Sequence, residues 1–319
     1  ITFDEIADGN LTITSGTIKL DGNYPTGTGN VALGDTALAS GSLSGGFNTA
    51  VGSLSLDANT SGAGNTGIGY NSLSSNTTGA INTAVGNASL DANTTGSNNA
   101  AFGDNALGSN TTASNNTAVG YQSLYANTTG TANVAVGYLA LSSQTTNSNS
   151  TAVGAYTLRY NTGNYNSGFG NSALNANTSG TNNVAVGMQA LLSNTSASNN
   201  TAVGYQAGYS NTTGTINEAI GYRALHTNST GSYNTALGGD ALHNNTTASY
   251  NVSMGYRSLF LNTTGANNTG LGYEALRSNT TASFNTSAGY QSGYSNTTGQ
   301  NHAFFGYKAG NSNTTGTAN

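Results

Sequence analysis

The sequence predicts an all-β parallel solenoid built from 17-residue coils, and three observations predict it. The first is a period. The glycine of the triplet AVG recurs at Gly34, Gly52, Gly69, Gly86 and so on to Gly306, seventeen marks in all. They lie 17 residues apart except for one step of 18 (Gly34 to Gly52) and one of 16 (Gly154 to Gly170). A fixed short period that accepts only single-residue slips marks a stacked-repeat protein. The second observation is what precedes each mark. The residue at minus one is large and apolar in nearly every coil (Val51, Ile68, Phe102, Val119, Ile220, Met254), and minus two is Ala, Gly or Ser except at Phe304. The third is the failure of the competitors. No apolar period of about 3.6 residues appears, and the dipeptide Asn-Gly, the strongest two-residue hairpin signal, never occurs.

Residues 1–29 do not carry the repeat. Leu11–Leu20 alternates apolar and polar as a half-buried strand does, and Pro25 with its neighbouring glycines marks a turn, so this segment is expected to be a cap or junction. The solenoid is expected over 30–319. It stops in mid-phrase at Asn319, and the sequence is expected to be a piece of a longer polypeptide.

Within the coils the columns have distinct chemistry. Plus four is Leu in fourteen coils and Gly in three, at Gly208, Gly293 and Gly310. Adjacent apolar residues on a strand point to opposite faces, so one face fills the coil and the other needs cover, most simply from copies of the same chain. Asn occupies minus four in fifteen of seventeen coils (exceptions Ser150 and His302) and plus seven in fifteen of seventeen (exceptions Gly41 and Gln144). Stacked amides predict hydrogen-bonded ladders. For plus seven, which opens the phrase NTTG, turn chemistry is an equal explanation.

Composition narrows the function. Only 5% of the 319 residues are charged, the net charge is −5, and the chain has 45 glycines, one proline and no cysteine. No Lys/Arg cluster points to nucleic acid, and no apolar run is long enough to span a bilayer. Acids are scattered: Asp57 and Asp91 share a column two coils apart, roughly 10 Å at strand spacing. His226, His243 and His302 form no recognisable triad. Neither catalysis, nor a metal, nor a cofactor is expected.

Two columns in the C-terminal half stand out. Plus two reads Arg223, Asp240, Arg257, Glu274, Gln291, Lys308, a near-alternation of sign expected to face water. Plus five reads Tyr209, His226, His243, Phe260, Arg277, Tyr294, while plus one carries Tyr in nine coils. The plus-five stripe is the candidate binding site for a cell-surface partner, a glycan whose sugar rings could stack on it or a protein; the alternative is packing at subunit contacts or over the glycine corner.

The phrase seen as Ala202, Val203, Gly204, Tyr205, Gln206, Ala207 and again as Ala219, Ile220, Gly221, Tyr222, Arg223, Ala224, Leu225 resembles the AIGxxA repeat of trimeric autotransporter adhesin heads of the YadA type. It is also similar to repeats of phage tail-fibre-like proteins. The likeness covers residues 30–319; the repeat here is longer, and the NTTG corner is extra. The resemblance implies a left-handed parallel β-roll, a homotrimer, and a non-catalytic extracellular fibre on a cell surface or virion that attaches to a host or prey cell. Two other classes were weighed: the shaft of a glycan-degrading tailspike, and an ice-binding solenoid. The second is disfavoured because neighbouring threonines on a strand face opposite ways.

Overall fold

A computed structural model describes residues 27–40 and 42–317; the expected cap strand Leu11–Leu20 lies outside them. Seventeen strands of three residues each, β1 (Val31–Leu33) to β17 (Ala303–Phe305), form one parallel sheet. Each strand pairs in register with the same columns of its neighbours: Thr201 with Glu218, Ala202 with Ala219, Val203 with Ile220. The parallel solenoid is therefore the fold, and no described residue is helical.

Three residues per coil would make a poor ladder by themselves, but coil-to-coil bonding continues outside the strands. Leu225 N–H donates to Ala241 O at 3.0 Å and Arg223 N–H to Tyr205 O at 2.9 Å. Bonds thus run to both neighbours, and most backbone groups are satisfied without a hairpin.

The chain closes each coil by repeated left-handed residues. The marker glycines sit near Gly221's φ of 135°, where a Cβ on Gly221 would come within 2.5 Å of Gly238 O. Conformation and close approach both demand glycine there. Plus four is also left-handed: Leu225 has φ 53° and Leu242 φ 52°. A left-handed leucine costs about 1–2 kcal/mol. Its complete burial contributes about 1.5–3 kcal/mol, so the column is Leu where the core needs filling and Gly where it does not. Phe304 shows the second case. It is the one large residue at minus two, it is 6% exposed, and the flanking plus-four residues are Gly293 and Gly310. A Cβ on Gly293 would lie 2.8 Å from the Phe304 ring, and one on Gly310 would overlap it.

The interior is a single file of Leu at plus four and Ala at minus two and plus three, bordered by the two Asn columns, both buried. At minus four the side-chain oxygen of one coil accepts the backbone N–H of the next, as in Asn65 N–H to Asn48 Oδ1 at 2.9 Å. The amide also donates to a turn carbonyl, Gly79 O, at 2.8 Å. At plus seven, Asn76 Nδ2 donates to Asn59 Oδ1 at 2.9 Å and to Gly79 O at 2.9 Å. That column is both ladder and turn, so the two explanations of it hold together. Both ladders are altered near the one coil that is a residue short. Ser150 replaces Asn at minus four, and Gln144 Nε2 bonds Asn147 O, leaving Asn127 Oδ1 without a partner.

The outer face of the sheet is apolar and uncovered. In sixteen of the seventeen strands the middle residue is buried between two that are half-buried or exposed, and Ile68, Phe102 and Ile220 at minus one are 39%, 41% and 42% exposed. Both faces of the strand are thus apolar, as the adjacent columns predict.

Candidate functional site

The six plus-five residues come together as one continuous stack along the rod. Coils repeat at the strand spacing of about 4.8 Å, so identical columns place rings nearly in van der Waals contact. Tyr209 stacks on His226 with centroids 5.1 Å apart and planes 4° apart, and His226 on His243 at 5.0 Å and 1°. His243 meets Phe260 at 5.3 Å. The Arg277 guanidinium then lies 5.7 Å from the Phe260 ring and 5.4 Å from Tyr294. None of the six is exposed: His243 is buried and the others are half-buried. Ring faces inside the stack are taken by neighbouring rings, so the column packs chiefly against itself.

The imidazoles are held neutral. Arg223 Nη2 donates to His243 Nε2, which leaves His243 Nδ1–H to donate to Asn244 Oδ1 at 2.7 Å. Burial, then the neighbouring His243 and Arg223, pull the His226 pKa down to about 4. Burial likewise lowers that of His243.

The plus-two column departs from expectation. It is not a water-facing row: Asp240 is 7% and Glu274 8% exposed. Its residues are left-handed (Arg223 φ 51°, Asp240 φ 55°), and their side chains bond along the rod. Arg257 Nε lies 3.4 Å from Asp240 Oδ2, Arg223 Nε 3.9 Å from Asp240 Oδ1, and Gln291 Nε2 donates to Glu274 Oε2 at 2.8 Å. Arg277 reaches Glu274 at 3.3 Å.

The longest run of exposed, stacked aromatics is in plus one. Tyr205 stacks on Tyr222 at 5.5 Å, and Tyr256, Tyr273, Tyr290 and Tyr307 stack in turn at 5.6, 5.2 and 5.4 Å. A shorter exposed pair at minus five, Tyr233 and Tyr250, stacks at 5.0 Å. These tyrosines lie outside the plus-five stripe that the sequence singles out as the candidate site, although their recurrence at the coil period is a signal the sequence carries.

Burial raises the pKa of Asp57 and of Asp91 above the ordinary carboxylate value. Among the described residues no group of three or more His, Cys, Asp and Glu could hold a metal. Among the described residues no helix is long and apolar enough to cross a membrane. In the NTTG corner of residues 76–79, Thr77 Oγ1 donates to Thr94 O at 3.0 Å while Thr78 is exposed. Comparison with known proteins gave no match: no family model, no curated protein and no solved structure matches this chain.

Proposed function

We propose that this chain is a structural and adhesive fibre segment, a homotrimer of parallel β-solenoids in the left-handed β-roll form, that attaches an extracellular surface, cellular or viral, to a host or prey cell. The observation that carries this reading is the uncovered outer face of the sheet. Val119, Val186, Ile220, Met254 and Leu271 lie on it, each at least 36% exposed, in one line along the array. A monomer rarely leaves so long an apolar line to water. Its ridges repeat at the coil spacing, and the surface that matches such a pitch over this length is another copy of the same chain. The resemblance to adhesin and tail-fibre repeats supports the same assembly and the extracellular setting. The double amide ladder suits a shaft, because it stiffens the rod without a thick hydrophobic core.

On this reading the fibre has no catalytic role: the two central imidazoles are stacked face to face, and both ring nitrogens of His243 are engaged, by Arg223 and by Asn244. Light scattering on the purified chain tests the assembly. A mass of three chains is expected, and Val186→Asp with Ile220→Asp should reduce it to one; a monodisperse parent monomer would overturn the proposal.

A further inference from the structure

The exposed tyrosine column at plus one has a single-coil interruption with rings on both sides. Over seven consecutive coils it reads Tyr205, Tyr222, Gly239, Tyr256, Tyr273, Tyr290, Tyr307. Tyr222 already stacks on Tyr205 on one side, and Tyr256 on Tyr273 on the other. Their remaining faces look toward each other across the Gly239 coil, two coil rises or about 10 Å apart. Tyr222 is 53% and Tyr256 43% exposed, so the slot opens to solvent. Tyr256 leans into it: a Cβ on Gly239 would lie 3.3 Å from its ring, and its 25° tilt against Tyr273 is the largest among the stacked pairs of this column.

Charge converges on the same coil. Arg223 reaches forward one coil and Arg257 back one coil, and both meet Asp240, the residue that follows Gly239. Their guanidinium carbons lie 5.7 Å from the Tyr222 ring and 5.1 Å from the Tyr256 ring. One carboxylate between two guanidiniums leaves a net positive charge. The slot is therefore walled by two aromatic faces, floored by a glycine and bordered by two cations.

We propose that this slot binds an acidic sugar: a pyranose ring clamped between Tyr222 and Tyr256 over Gly239, its carboxylate held by Arg223 and Arg257. A pyranose chair offers C–H groups on both faces to aromatic rings, so a single ring can touch both walls. A carboxylate is the group that a guanidinium fork recognises. The proposal rests on the attachment reading and deepens it, placing one recognition site at plus one rather than in the closed plus-five stack.

The test is titration by saturation-transfer NMR with methyl glucuronide and, in parallel, methyl glucoside, on the intact chain in its native assembly. The parent is expected to bind the glucuronide about tenfold more tightly than the neutral sugar. Gly239→Tyr should abolish binding of both. Gly239 lacks a positive φ and the column accepts Tyr in nine coils, so this variant fills the slot once the Tyr256 ring swings back toward Tyr273, and a melting curve run beside the titration checks that the fold is kept. Arg257→Gln should remove the preference for the charged sugar and leave weak binding of both. Equal affinity for the two sugars, undiminished binding by Gly239→Tyr, or no binding by the parent would overturn the proposal. A trimer that binds no glucuronide removes the slot and leaves the fibre; a monomer that binds it does the reverse.

Discussion

Truncating Asn234 to alanine removes one rung from the minus-four ladder, and the structure says what is left behind. Its Oδ1 accepts the Asn251 N–H at 3.1 Å, and its Nδ2 donates to Ala248 O at 2.9 Å and Asn217 Oδ1 at 3.2 Å. Two of the three partners have substitutes. Ala248 O keeps the donor Asn245 Nδ2 at 2.9 Å, and Asn217 Oδ1 keeps the Asn234 N–H at 3.0 Å. The Asn251 N–H has none, and Asn251 is fully buried. One orphaned buried donor costs about 1–3 kcal/mol, and each lost hydrogen bond about 1 kcal/mol. The expected destabilisation of Asn234→Ala is therefore about 3 kcal/mol, with the largest rise in amide exchange at Asn251. Asn87→Ala is the control, because Asn87 is exposed and its column already accepts Ala155. Urea unfolding followed by circular dichroism, with exchange read residue by residue, decides the matter. If Asn234→Ala falls within about 0.5 kcal/mol of the control, or if Asn251 exchanges as before, the ladder is decoration and the argument from it fails.

Leu225→Asp should lower the melting temperature far more than Arg223→Asp, since Leu225 is 1% exposed and the new charge would be buried unpaired; Arg223→Asp should still destabilise, because it sets a second carboxylate beside Asp240, and equal melting for the two would refute the assignment of faces. Phe304→Ala, although it restores the common residue of its column, should cost about 3–5 kcal/mol, and Gly293→Leu added to it should recover part of that; a double variant no better than the single would show that Phe304 does not fill the space the glycines leave. Amide exchange should be fastest, within the repeats, over residues 144–166, where both ladders are altered, and uniform protection there would contradict the link between ladder and stability. The His226 proton affinity, lowered to about 4 in the fold against 6.5 as its ordinary value, makes the unfolded chain bind the proton more readily. Stability from this group is full above about pH 6.5 and is lost as pH falls toward 4; His226→Gln should flatten that part of the profile, and an unchanged profile would show the imidazole to be solvated.

The period, the parallel sheet, the two-faced strand and both amide ladders were legible in the sequence, because each depends only on which residues recur in a column. Side-chain direction outside the strands was not legible. Arg223 and Asp240 sit in left-handed backbone, so alternation along a strand does not govern them, and their column turned out half-buried and ion-paired. The plus-five column shows the same limit. Its membership was plain, but the mutual stacking of Tyr209, His226 and His243 follows from the coil rise and a shared rotamer, which a sequence does not state. Phe304 read as an intrusion until the glycines beside it, on two different coils, showed what they leave room for.

Small-angle scattering from the purified chain tests the central claim most directly. Seventeen coils at about 4.8 Å each give a rod about 80 Å long; the uncovered sheet face predicts association, and with the threefold assembly proposed from the resemblance to adhesin repeats the particle should carry three times the 31.8 kDa of one chain. A profile with that length and mass is the expected result. A compact sphere would contradict the solenoid, and a rod of the same length with the mass of one chain would contradict the association of its outer face.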